Sequence, residues 1–253
     1  MKDDLGKRMK EQYEQRTRTL LPRRTYTIIR LDGKAFHTFT AKMARPYDPG
    51  FILAMDETTK FLCENIQGCK LGYVQSDEIS LLLTDFDKIT TDAWFDGQVQ
   101  KIVSVSASIA TAKFNQQVGK SFVSPKGLAF FDSRVWTIPD PIEVENYFVW
   151  RQKDAMRNSI SMHAQALYSH EELNGKSQSD MHDMIHAKGE NWNDLPDGFK
   201  RGRTVVKVRV FDIETPGGII DHGTSWAVRY PDFLKEREDL SGWIPKINEP
   251  LTD

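Results

Sequence analysis

Apolar positions along this chain come in short runs separated by polar corners, and the sharpest is Gly72-Tyr-Val-Gln-Ser-Asp-Glu-Ile-Ser-Leu-Leu-Leu83. Two runs of strand length flank Gln75-Ser76-Asp77, whose side chains bond local backbone in turns, so the stretch predicts a β-hairpin with Asp77 and Glu78 at its tip. Tyr26-Thr-Ile-Ile-Arg-Leu-Asp32-Gly33 predicts a strand over 25–31 that runs into a carboxylate, followed by a glycine that lets backbone approach a ligand. Asp48-Pro49-Gly50 supplies an N-cap and a proline at the first helical position, and residues 51, 55, 58, 62 and 66 keep helical spacing up to Gly68. From Lys101 to Phe114, Val and Ser alternate as in a strand, but the length and the small residues predict a helix lying close against a sheet. Leu128 to Ile138 predicts a further strand, or two around Asp132-Ser133, before Pro139-Asp-Pro141 breaks the chain.

The order β-α-β-β-α-β is the split βαβ pattern, so the fold class is α+β, ferredoxin-like. In that topology the first and third strands are central, adjacent and antiparallel. Asp32, following the first, and Asp77, preceding the third, then meet at one sheet edge. Two converging carboxylates beside a backbone carbonyl form a hard oxygen donor set, suited to divalent cations that carry phosphates with them. Around this core the pattern predicts an opening helix over 5–20, a long amphipathic helix over 143–169, a short one over 179–187, and an edge strand over 204–213. The tail from Pro216 receives no element. Residues 1–140 read as the catalytic unit and 141–253 as a mainly helical extension, with some β, packed on it as one compact unit.

Composition narrows the class. With 253 residues, 39% hydrophobic and 28% charged, the chain is globular, and no apolar run approaches the ~20 residues of a membrane span. The first residues lack the apolar core of a secretory signal, so the cytoplasm is expected. Cys63 and Cys69 fit neither a disulfide framework nor a redox or zinc motif. A net charge of -2 confines any nucleic-acid binding to local patches. Two exist: the first 24 residues, and Phe199 to Arg209, where Lys200, Arg201, Arg203, Lys207 and Arg209 cluster. His182-x-x-x-His186 has helical zinc-ligand spacing, but without a base motif or cysteines it reads as a helix face.

Arg30-Leu-Asp-Gly-Lys-Ala-Phe-His-x-Phe, Arg45-Pro-Tyr-Asp48, Gly72-Tyr-x-Gln-Ser-Asp-Glu, Phe131-Asp-Ser-Arg and Trp150-Arg-Gln-x-Asp154 follow the order and spacing of the tRNA-histidine guanylyltransferase family. The resemblance covers roughly residues 25 to 210. It implies a palm-type sheet, a usually homotetrameric enzyme, and nucleotide addition to the 5′ end of tRNA in the 3′-to-5′ direction after activation with ATP. Where members specialised for tRNA-histidine carry His-Ile-Asn-Asn, this chain has Met156-Arg157-Asn158-Ser159. It thus resembles the guanylyltransferase-like branch that repairs 5′-truncated tRNAs by templated addition.

Chemistry and resemblance together imply roles. Asp32, the Gly33 carbonyl and Asp77 would hold two Mg²⁺ ions, with Glu78 beside them as catalytic or supporting. Lys34, Ala35, Phe36, His37, Arg45, Asp48, Ser76, Lys101 and Asn158 are expected to meet the nucleotide, ATP or GTP among the nucleoside triphosphates, or the 5′ end. Arg151, Arg157, Lys200, Arg201 and Arg203 are candidate RNA contacts. Two other readings share the fold: a nucleotidyl cyclase, which needs no RNA, and an inert RNA-binding module. The latter stacks bases on strand aromatics, and the runs 26–31 and 79–83 offer only Tyr26.

Overall fold

Every strand at the centre of this protein is apolar on both sides, and the architecture follows from that. The computed structural model describes residues 4–119, 127–215 and 218–247. β1 (Tyr26–Gly33), β2 (Cys69–Gln75), β3 (Glu78–Leu83), β4 (Phe131–Ile138), β5 (Arg203–Thr215) and β6 (Gly218–Arg229) form one antiparallel sheet in the order β4-β1-β3-β2-β5-β6. The first four strands reproduce the expected ferredoxin-like arrangement. Pleating sends alternate side chains to opposite faces. Ile29, Leu31, Ile79, Leu81, Val74 and Val205 join one core, and Tyr26, Ile28, Leu71, Tyr73, Leu82 and Val206 join the other.

The first face is covered by α3 (Pro49–Asn65) and α4 (Val99–Val118). Asp48 caps α3 by accepting from Phe51 N at 2.9 Å, with Pro49 in the first turn. The helix over the Val/Ser run is confirmed, and its small residues do what their size allows. Ala110 and Ser106 are fully buried, and the Ser106 hydroxyl meets that of Ser133 on β4 at 2.8 Å. Phe114 closes this core, in ring contact with Phe36, Phe39, Phe51 and Phe131. Where α3 crosses β2, a Cβ on Gly72 would lie 2.7 Å from Cys63 Sγ and 2.8 Å from Thr59 Cγ2. Gly72→Ala is therefore expected to destabilise by about 1–3 kcal/mol through overpacking, read as a lower urea midpoint at unchanged m-value.

The second face is covered by α5 (Pro141–Leu167) and by α9 (Arg237–Trp243), through Val144, Phe148 and Leu240. The far half of α5 packs with α7 (Gln178–Ala187) and Trp192 in a third, smaller core. His182 of α7 stands edge-on to the Trp192 ring, and His163 pairs with Glu190 at 2.6 Å. Among the described residues no three His, Cys, Asp or Glu side chains are grouped to hold a metal, and no helix is long and apolar enough to cross a membrane.

Three expectations need correction. The opening helix α1 spans only Leu5–Gln12, because it buries no residue and the threonines after it favour a 3-10 turn and an extended path to Leu20. Leu128 to Ile138, by contrast, supplies the further strand expected, and a single one, with Asp132 and Ser133 paired to Asp32 and Leu31. β5 is not an edge strand, since it lies between β2 and β6. Only Arg203–Val206 pair with β2, so the charged positions Lys207 and Arg209 that suggested an edge belong to a two-stranded ribbon beyond the sheet. The tail without an assigned element supplies that edge as β6, together with α9.

Candidate active site

β1 ends and β3 begins at the same place. Asp32 and Glu78 are direct partners in the β1–β3 ladder, and Ser76-Asp77 is the two-residue turn joining β2 to β3. Asp32 and Asp77 are thereby brought to one corner, as the strand order required. The turn holds Ser76 in the left-handed region at φ 44°. A Cβ on Gly33 would overlap the Phe36 ring at 2.3 Å, which explains the glycine after Asp32. The next residue but one, Ala35, is also left-handed at φ 55° and turns the chain into α2 (Phe36–Phe39). Strain at two non-glycine residues flanking one corner is a mark of sites held in place by the surrounding fold.

The corner is electrostatically loaded. Burial, and then the charge of Asp32, push the Asp77 carboxyl up to about 6. Asp32 is raised by burial and next by Asp132, its cross-strand neighbour on β4, against the pull of Arg134. Arg134 lies 3.9 Å from Asp32 and 3.6 Å from Asp132. Asp132 was not among the sequence candidates, because only the β1–β4 register, which local sequence does not specify, sets it opposite Asp32. Carboxylates forced together in this way, next in the chain to the Gly33 carbonyl, offer the oxygen donors that hard divalent cations take.

Glu78 does something else. The pleat turns it to the α5 face, where Arg151 donates to both its oxygens, Nε at 2.7 Å and Nη2 at 2.6 Å. Burial raises its carboxyl while Arg151 opposes the rise. Both Glu78 oxygens are thus engaged by Arg151, which ties β3 to α5.

Asp77 and Gly33 open onto a cavity of about 450 Å³ between α2, α3 and α5. Of the expected nucleotide contacts, Ala35, Phe36, His37, Arg45, Asp48, Ser76 and Asn158 line it. Asp48 also caps α3 and accepts from Ala44 N at 3.2 Å. Lys34 is exposed and outside the lining, and Lys101, standing over the Phe95 ring at the start of α4, is outside it too. Gln75, Met162, Phe199 and the Tyr47 ring 5.2 Å from that of Phe199 are also part of the wall, though none was among the expected nucleotide contacts. Helical spacing of 155, 158, 159 and 162 along α5 is the signal that could have found part of it.

Three of the five expected RNA contacts, Arg151, Lys200 and Arg203, are buried. Arg151 and Arg203 are 5% and 3% exposed, each committed to a carboxylate, Arg203 to Asp56 at 2.6 Å. Lys200 is buried, donating to Asn193 O at 2.6 Å, and Arg201 pairs with Asp232 at 3.2 Å. Arg151 and Arg203 lie this deep because partners distant in sequence, Glu78 and Asp56, neutralise them. Arg157 alone of the five is largely exposed, and it pairs with Asp154 at 2.6 Å.

The model of the Thg1 family, described as tRNAHis guanylyltransferase, matches residues 6–139, more than half of the chain. The chain belongs to the tRNAHis guanylyltransferase family. A bacterial tRNA(His) guanylyltransferase-like protein solved in complex with ATP is 44% identical, with a TM-score of 0.84 over 96% of this chain and 99% of that one. A bacterial tRNA(His) guanylyltransferase-like protein in complex with GTP is 43% identical, with a TM-score of 0.80 over the same shares. The tRNA(His) guanylyltransferase of Schizosaccharomyces pombe is 29% identical over 214 residues, 78% of each chain. As a family member the protein is an enzyme of the nucleotidyltransferase kind, and its mixed sheet-and-helix architecture is the palm-type fold expected of it.

Proposed function

We propose that this guanylyltransferase-family enzyme adds nucleotides to the 5′ end of tRNA in the 3′-to-5′ direction, after activating a 5′-monophosphate with ATP, and that it does so by template-directed repair. The observation that carries the reading is the junction of Asp77 and Gly33 with a cavity large enough for a nucleotide. Support for nucleotides as occupants comes from the ATP and GTP complexes of its bacterial relatives. Support for repair comes from Met156-Arg157-Asn158-Ser159 standing where the tRNA-histidine branch has His-Ile-Asn-Asn.

Asp32, the Gly33 carbonyl and Asp77 would hold two Mg²⁺ ions. When bound, these supply charge neutralisation on the triphosphate and acidify the attacking 3′-hydroxyl. The chain's own residues position the reactants. His37 and Arg45, exposed on the cavity rim, offer donors to phosphate oxygens, and Ser76 and Asn158 offer hydrogen bonds to the nucleotide. Phe36, Met43 and Phe199 provide the apolar wall against which a base excludes water. The homotetramer implied by the family resemblance belongs to the same proposal.

The test is incubation with Mg²⁺, ATP, all four nucleoside triphosphates and a tRNA lacking its first 5′ nucleotide, beside a full-length tRNA-histidine. Extension of the truncated tRNA by the nucleotide complementary to its 3′-strand partner is the expected result. Addition of guanosine only to tRNA-histidine would replace repair by histidine-specific addition. A cyclic nucleotide formed without RNA would replace both.

A further inference from the structure

Asp154 of α5 stands at the centre of a fan of donors. Its Oδ1 accepts from Arg157 Nη2 at 2.6 Å, and its Oδ2 from Arg151 Nη2 at 2.8 Å, Asn158 Nδ2 at 3.4 Å and Gln75 Nε2 at 3.5 Å. Burial by itself would raise the carboxyl, but Arg157, Arg151 and Gln75 outweigh it and hold it below the usual range. An ionised carboxylate accepts and never donates. Gln75 and Asn158 must therefore each turn the NH₂ end of the amide toward Asp154, and the carbonyl ends face away from it. Gln75 lines the cavity, is 3% exposed, and its Oε1 has no hydrogen-bond partner in the protein. Buried acceptors seldom stay unpaired, so the missing donor belongs to whatever fills the cavity. Asn158, one helical turn beyond Asp154, lines the same wall.

We propose that Asp154 is a positioning residue that fixes the Gln75 and Asn158 amides with their carbonyl oxygens toward the bound nucleotide, so that this wall selects ligands by hydrogen-bond donors. The inference rests on the reading of the cavity as a nucleotide site. Two groups of a nucleotide carry such donors: the N–H groups of a guanine edge and the hydroxyls of the ribose. Among the described residues the side chains of Gln75 and Asp154 make no hydrogen bond to Asp32 or Asp77, so the selection acts on binding.

Dissociation constants for GTP, inosine triphosphate, which lacks the 2-amino group, and 2′,3′-dideoxy-GTP, which lacks the ribose hydroxyls, test this by equilibrium dialysis. The wild type is expected to bind GTP about tenfold more tightly than one of the two analogues, the size of one lost hydrogen bond to a buried acceptor. Which analogue is rejected tells whether base or ribose meets the carbonyls. In Asp154→Asn the facing amide can donate or accept, both neighbours are free to reverse, and the preference is expected to fall toward unity. Asp154→Glu keeps an ionised acceptor and is expected to keep the preference. A merely structural role would weaken all three ligands alike and leave their ratios unchanged, and that result in Asp154→Asn would overturn the proposal. So would a wild type that binds nucleotides without preferring GTP over either analogue. Failure of the wild type to bind any nucleotide would instead overturn the reading of the cavity. Should Asp154→Asn not fold, Gln75→Met removes the acceptor directly, and an undiminished preference there would overturn the proposal equally.

Discussion

Asp77→Asn is expected to lower nucleotide addition to tRNA by at least about a thousandfold while making the metal-free protein more stable at neutral pH. On the proposed two-metal reading the loss follows from removing one of the two carboxylates that would hold the cations, a contribution of several kcal/mol to the barrier. The gain follows from the folded-state carboxyl of Asp77, which burial and Asp32 push up to about 6 from an ordinary 3.8. A raised carboxyl favours folding while it is protonated. Its ionisation opposes folding progressively as pH rises from about 4 to about 6, by about 2–3 kcal/mol in full. The neutral amide escapes that penalty. Scanning calorimetry in chelator should show a Tm gain of roughly 4–12 °C for Asp77→Asn at pH 7.5, shrinking as the pH is lowered through 6 toward 4. A pH-independent difference would show that Asp77 is not held under strain by its neighbours. Extension of truncated tRNA at near wild-type rate would remove it from the chemistry.

Arg151→Met should be the most damaging single change outside the acidic corner. Its guanidinium makes two bonds to Glu78 and one to Asp154, and lies 4.4 Å from the centre of the Trp150 ring. Both members of the pair are shielded, with side chains 7% and 13% exposed. Removing one charge of a buried pair strands the other, at a cost of about 3–5 kcal/mol. The unpaired Glu78 would then take a proton more readily, so the variant should regain stability as pH falls. Combining the change with Glu78→Gln is expected to restore most of the loss in a urea unfolding series. If the double variant is as unstable as the single one, Arg151 acts by packing against Trp150 rather than by its charge.

Much of this was legible in the chain. The acidic corner followed from two strand ends and one topology, because a period of two and a turn of two residues leave little freedom in where Asp32 and Asp77 can go. The helix α4 was readable from size alone, since Ser106 and Ala110 tolerate close approach. What the chain concealed was depth. Lys200, Arg201 and Arg203 read as a surface patch, yet the partner that draws Arg203 inward is Asp56, 147 positions earlier. Likewise Arg151 reads as an RNA contact until Glu78, 73 positions away, is found against it. Local composition reports charge and not its neutralisation. β6 escaped for a different reason: it pairs only with β5, so its identity depended on a neighbour itself taken for an edge.

The acids and the groups around them sit on parts of the molecule with different mechanical lives. β1 and β3 are the central strands, sealed on both faces, and backbone amides in such positions exchange with solvent only when the whole domain opens. His37 and Arg45 lie instead on a short helix and an exposed loop, whose bonds can break one at a time. Asp32 is thus fixed by a central strand and Asp77 by a two-residue turn anchored between β2 and β3, while His37 and Arg45 belong to parts of the chain that can fluctuate without opening the sheet.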